Sequence, residues 1–70
     1  MDIPAPMSGS VIELLVAVGD TVSEGQELLI IESMKMEIPL ESPSAGKIAE
    51  IVVTPPQPVS EGELLLRLDA

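Results

Sequence analysis

The residues best suited to chemistry sit at the midpoint of the chain, in Glu32-Ser33-Met34-Lys35-Met36-Glu37. Lys35 has 34 residues before it and 35 after. A primary amine is a nucleophile once it has lost its proton, and at an exposed turn it is well placed for modification. The 70 residues hold no His and no Cys, so no evident base stands near the amine. A lysine in a turn is ordinarily a solvated charge, and methionine ordinarily fills cores. Two methionines flanking a turn lysine fit neither habit, because filler is little needed there. A flexible apolar collar around an amine suits contact with a ligand or partner. The rest of the chain offers little: serines and threonines lack a recognisable base partner. Glu37 and Glu41, four apart in a strand-like run, read as a solvated face rather than a metal site.

The elements that must position Lys35 come from a duplication. At an offset of 37 residues Pro6 falls on Pro43, Gly9 on Gly46, Glu13 on Glu50 and Val16 on Val53. Val22-Ser23-Glu24-Gly25 then falls on Val59-Ser60-Glu61-Gly62, and Leu28-Leu29 on Leu65-Leu66, with no gap. Two copies are too few for a solenoid and read instead as interlocked halves about a pseudo-twofold axis. Each half reads as β, with runs of strand formers at 11–16 and 28–32 and twins at 48–53 and 64–68. Shorter strands fit 2–5 and 37–41. With Glu13 and Glu50 facing water, alternation turns Ile12, Leu14 and Val16 inward, with Ala49, Ile51 and Val53 as their twins. In 28–32 and 64–68 both alternate sets are apolar, so pattern alone does not choose the inward face. Seven prolines and five glycines leave little room for a helix. The fold class is therefore all-β, a sandwich or flattened barrel. The junction between the halves becomes a β-hairpin with Lys35 at its tip, far from the chain ends. One turn must differ between the halves, since Gly19-Asp20-Thr21 matches Pro56-Gln57-Pro58.

Composition narrows the function further. The length suits a single domain, 1–70. Without cysteine there is neither a disulfide framework nor a thiolate metal site. Twelve acids against three bases give a net charge of −9, which argues against nucleic acid and against anionic membranes. No apolar run approaches the roughly 18 residues of a membrane span. Met1-Asp2 opens no secretory signal, so a cytoplasmic location is expected.

The central motif, the Gly9 turn, Gly19-Asp20, Val22 to Gly25, Gly46 and Glu61-Gly62 together resemble biotinyl domains of the biotin carboxyl carrier protein family. In that family an Ala or Ser precedes Met-Lys-Met. The resemblance covers nearly the whole chain. It implies a flattened β-barrel of two four-stranded antiparallel sheets with pseudo-twofold symmetry. It also implies biotin in amide linkage to Lys35, placed there by a biotin protein ligase. The arm then serves a biotin carboxylase and a carboxyltransferase, and the domain itself is a non-catalytic carrier, monomeric in isolation. Met34 and Met36 resemble the flanking methionines that matter for use of the attached biotin. Glu32 and Ser33 match positions thought to help tell biotinylation from lipoylation. The short 17–21 region resembles carriers that lack a protruding "thumb". The nearest rival is a lipoyl domain of a 2-oxoacid dehydrogenase or glycine cleavage system. Its motif usually has an acid before the lysine and a small residue after it, where Met34 and Met36 stand here. Unmodified adaptor modules share the hairpin architecture but lack the Met-Lys-Met tip.

Overall fold

The computed structural model describes residues 1–69. Among these, eight strands and no helix form. They are β1 (Asp2–Pro4), β2 (Gly9–Leu14), β3 (Thr21–Val22), β4 (Glu27–Ser33), β5 (Met36–Glu41), β6 (Gly46–Ile51), β7 (Gln57–Val59) and β8 (Leu64–Asp69). Two four-stranded antiparallel sheets result, ordered β1-β8-β6-β3 and β5-β4-β2-β7. The 37-residue offset carries β2 onto β6, β3 onto β7, β4 onto β8 and β1 into β5. It thereby turns one sheet order into the other. No helix of the described residues is long and apolar enough to cross a membrane.

The duplication is above all a duplication of core positions. Val11, Val16, Val22, Leu28, Leu29 and Ile31 are buried, and so are their twins Ile48, Val53, Val59, Leu65, Leu66 and Leu68. Ile3 and Ala5 complete the apolar core. Aliphatic side chains suffice because the two sheets share one thin interior.

The expected alternation in β2 and β6 needs correction. Ile12 is only half-buried and Ala49 is exposed, whereas Val11 and Ile48 are buried. The register shifts between Val11 and Glu13, and between Ile48 and Glu50. An extra residue in each strand, a β-bulge, resets which face the next side chain takes. Glu13 and Glu50 do face water, Leu14 and Ile51 pack against the core, and Val16 and Val53 are buried. A second pair of shifts falls between Glu27 and Leu29 and opposite Leu65, between Ile3 and Pro4. It explains why neither alternate set alone faces inward there: Leu28, Leu29 and Ile31 are all buried, as are Leu65, Leu66 and Leu68.

The repeated Ser-Glu-Gly turns are built alike. The Gln26 amide donates to Ser23 O at 3.0 Å, and the Glu63 amide to Ser60 O at 3.0 Å. Gly25 and Gly62 hold φ of 84° and 88°, which glycine adopts without a Cβ penalty. The divergent turn differs as expected. Gly19 has φ 95° in the first half, and a cis Pro55–Pro56 peptide occupies the second. A side chain caps both: Asp20 Oδ2 accepts from the Ala17 amide at 2.9 Å, and Gln57 Oε1 from the Thr54 amide at 2.8 Å. The β2–β3 connection spans only residues 15–20.

Three of the four sheet edges carry a proline: Pro4 in β1, Pro39 in β5 and Pro58 in β7. The fourth edge, β3, is two residues long.

Candidate functional site

Strands β4 and β5 form the hairpin that the midpoint position implies. Ser33 pairs with Met36, which leaves Met34 and Lys35 as a two-residue loop. Both loop residues have positive φ, 52° for Met34 and 65° for Lys35. Two successive left-handed residues define the tight turn whose twist matches the flanking strands, and Asn-Gly is its usual sequence. An L-residue with a long side chain is disfavoured there by about 1 kcal/mol or more. This chain places two of them in succession.

That strain predicts a stabilising substitution. Met34→Asn should raise stability by about 0.5–1 kcal/mol, because Asn tolerates positive φ. The midpoint of urea unfolding reads the change. An unmoved or lowered midpoint would show that the turn is not under strain.

The geometry leaves the tip convex and wet. Met34 is 89% exposed, Met36 59%, and Lys35 is exposed. Both ion pairs among the described residues are made by Arg67 on the other sheet, to Asp2 and Glu50. Lys35 takes part in neither. The arms below are acidic. Glu32 lies directly opposite Glu37, and Glu27 opposite Glu41. Like charges in facing positions destabilise a strand pair. The sheet β5-β4-β2-β7 carries Glu13, Glu27, Glu32, Glu37 and Glu41 in its strands with no base. A hairpin that combines strained turn residues with facing carboxylates departs from local preference in two ways, as functional sites do.

The base of the hairpin is held from one side. Gly9 runs so close to β4 that a Cβ there would stand 2.5 Å from Glu32 O and 2.9 Å from Ile31 Cγ2. Only glycine permits that approach. Ser33 Oγ donates to Ser8 O at 3.0 Å, and Ser8 Oγ accepts from the Glu61 amide at 3.1 Å. The turn at Glu61 is thus tied through Ser8 to the end of β4.

The structure therefore places Glu32, Ser33, Met34, Lys35 and Met36 on one hairpin end, with Ser33 half-buried and the others exposed. Being contiguous, they need no long-range packing to meet. What the motif did not reveal is the support from Ser8, Gly9 and Glu61, or the carboxylate facing Glu32. A glycine two residues ahead of a strand run, repeated at Gly46, was the available signal for close backbone approach. An exposed, unpaired amine on a convex tip fits a covalently tethered group, which needs a free attachment atom and open space.

The chain matches the family model described as "Biotin-requiring enzyme" over residues 1–68. It is 65% identical over 34 residues to the biotin carboxyl carrier protein of Streptococcus mutans, covering 49% of this chain and 26% of that one. It is 56% identical over 36 residues to the methylmalonyl-CoA carboxyltransferase 1.3S subunit of Propionibacterium freudenreichii, covering 51% and 29%. This chain thus matches less than a third of each of these relatives. Among solved structures, a single-chain, multi-domain long-chain acyl-CoA carboxylase contains a similar unit. Its TM-score is 0.90 at 33% identity, covering 94% of this chain and 7% of that one. A sheet architecture shared at that level, with a family match over residues 1–68, decides the assignment: the chain belongs to the family of biotin-requiring enzymes, as a biotinyl domain of the biotin carboxyl carrier type.

Proposed function

We propose that this domain carries biotin in amide linkage on the Nζ of Lys35 and serves as a carboxyl carrier between a biotin carboxylase and a carboxyltransferase. The observation that carries the reading is the two-residue turn that projects an unpaired Lys35 between exposed Met34 and Met36. When bound, biotin supplies a ring nitrogen that takes up and gives up a carboxyl group. The chain's own residues tether and present. Lys35 provides the attachment atom, and the β4–β5 arms hold it clear of the sheets. Met34 and Met36 offer exposed apolar surface at the tip to a partner. Glu32 and Ser33 distinguish the motif for the ligase. Tethering raises the effective concentration of the arm at both enzyme sites. Residues 1–70 act as one unit, with no catalytic group of their own. The cytoplasm is the proposed compartment, since activated biotin is made at the expense of ATP.

Mass spectrometry of the intact chain tests this. After incubation with biotin, ATP and a biotin protein ligase, the mass should rise by one biotinyl group. A lipoate ligase with lipoate should leave it unchanged, because Met34 stands where lipoyl domains usually carry an acid. Uptake of lipoate as readily as biotin would overturn the choice between the two. As a second check, the biotinylated chain should stimulate bicarbonate-dependent ATP hydrolysis by a biotin carboxylase, and the unlabelled chain should not.

A further inference from the structure

We propose that the outer face of the sheet β5-β4-β2-β7 is where a biotin carboxylase docks, through a basic patch, while the arm on Lys35 is carboxylated. This rests on the reading of Lys35 as the attachment residue. The duplication supplies an internal comparison. In the sheet β1-β8-β6-β3 one row reads Asp2, Arg67, Glu50. Arg67 bonds both acids, at 3.2 Å to Asp2 Oδ1 and 2.8 Å to Glu50 Oε1. Another row sets Lys47 opposite Asp69. That face carries its own counter-charges.

The 37-residue offset carries these positions onto the other sheet. The row Asp2, Arg67, Glu50 becomes Pro39, Ile30, Glu13, and Lys47 becomes Ser10. Each base of the first face is an uncharged residue on the second. Leu29 and Ile31 are buried on the inner side, so Ile30 and Glu32 point outward. Ile30 is half-buried there and Pro39 exposed. Acids surround this apolar centre. Glu13 stands beside Ile30, Glu32 and Glu37 lie toward the tip, and Glu27 and Glu41 toward the other end. All five are exposed, and none joins an ion pair among the described residues.

Facing carboxylates weaken a strand pair, so the face is kept at some cost to stability. An apolar centre with a rim of one charge sign is complementary to an apolar contact ringed by Lys and Arg. The reaction supplies such a surface. A biotin carboxylase draws ATP and bicarbonate, both anions, into one cleft, and positive charge lining a cleft does this. The acidic face is continuous with the tip, because the row of Glu32 and Glu37 adjoins the Ser33–Met36 pair that closes the turn. A carrier seated by this face therefore brings Lys35 to the cationic mouth. The face is about 20 Å long and four strands about 4.8 Å apart wide, on the order of 300 Å². A stable complex buries about 800 Å² a side. The contact is thus brief, as a shuttling carrier requires, and its charge acts chiefly on encounter.

The test uses the full chain labelled on Lys35, the biotin carboxylase of its source cell, and bicarbonate-dependent ATP hydrolysis as the assay. Glu13→Gln, Glu27→Gln and Glu41→Gln together neutralise the face and leave the hairpin end untouched. At low salt the KM for the labelled chain should rise about tenfold, roughly twofold per charge, with kcat little changed. Raising salt tenfold should lift the KM of the unaltered chain by about the same factor and that of the variant much less. The variant's urea midpoint should be no lower, since Glu27 and Glu41 no longer repel. Ile30→Arg, which copies Arg67 beside Glu13, should also raise KM. Asp2→Asn, Glu50→Gln and Asp69→Asn together remove as many charges from the other face and should leave KM within about twofold. An unmoved KM for the neutralised face would overturn the proposal, as would an equal rise for the other face. Slower labelling by the ligase with the carboxylase KM unmoved would give the face to the ligase and overturn it too. A labelled chain that fails to stimulate the carboxylase at any salt would instead overturn the carrier reading itself.

Discussion

Lys35→Arg should reduce biotin incorporation to background while leaving the fold intact. Arginine keeps the positive charge and the long unbranched stem, so the turn and its surroundings change little. Its guanidinium is no substitute for an amine nucleophile, because it stays protonated and its nitrogens share one delocalised system. Stability should move by no more than about 0.5 kcal/mol, as for an exposed position without a specific partner. The chain offers a built-in control, since Lys47 is its other lysine. Lys47 is also exposed, but it lies within β6, paired with Thr21 on one side and Asp69 on the other. Lys47→Arg should therefore label at the normal rate. Streptavidin blotting and intact mass read both variants. Biotin on Lys47, or equal labelling of Lys35→Arg, would show that the hairpin tip is not what the ligase reads.

The largest effect on stability is expected at the paired centres of the core. Leu29 and Leu66 occupy equivalent places in the two halves, and both are wholly buried. Each truncation to Ala removes three buried carbons and leaves a cavity, at a cost of about 2–5 kcal/mol. A domain of this size holds only about 3.5–10 kcal/mol in total. Either variant should therefore be largely or wholly unfolded in modest urea. The symmetry sharpens the expectation: the two losses should agree within about 1 kcal/mol, since the flanking residues are also twins. Urea unfolding followed by circular dichroism measures both, with the slope unchanged if only stability is affected. A loss below about 1 kcal/mol at either position would contradict the close packing described for that sheet.

Much of this architecture was readable in the residues, and the limits have definite causes. The 37-residue offset predicted the pseudo-twofold arrangement, and with it the exposed position of Lys35. In β2 and β6 the alternation fails at Ile12 and Ala49, while Leu14, Val16, Ile51 and Val53 do face the core. Alternation assumes two residues per pleat, and one bulge breaks the count. Nothing in Val11-Ile12-Glu13 marks the bulge, because Val11 and Ile12 are both apolar and either could take the inward place. The runs 28–32 and 64–68 are undecidable from pattern for a related reason, since a bulge there buries two neighbouring leucines. At the site, Met-Lys-Met was legible and its backbone was not. Neither Met34 nor Lys35 is a residue type that announces positive φ. The facing of Glu32 with Glu37 required the register. The close approach of Gly9 to Glu32 required the packing of β2 on β4.

The prolines at the sheet edges bear on how such a domain can be used at all. At high local concentration the edges of such sheets are exposed to one another. An unprotected edge strand would there find another edge and zip to it through backbone hydrogen bonds. Pro4, Pro39 and Pro58 each remove a backbone donor from an edge, and β3 is too short to template a partner. Glu37 and Glu41 add charge to the β5 edge. Resistance to edge-to-edge association is thus written into the rims of the two sheets, where fibre growth would otherwise begin.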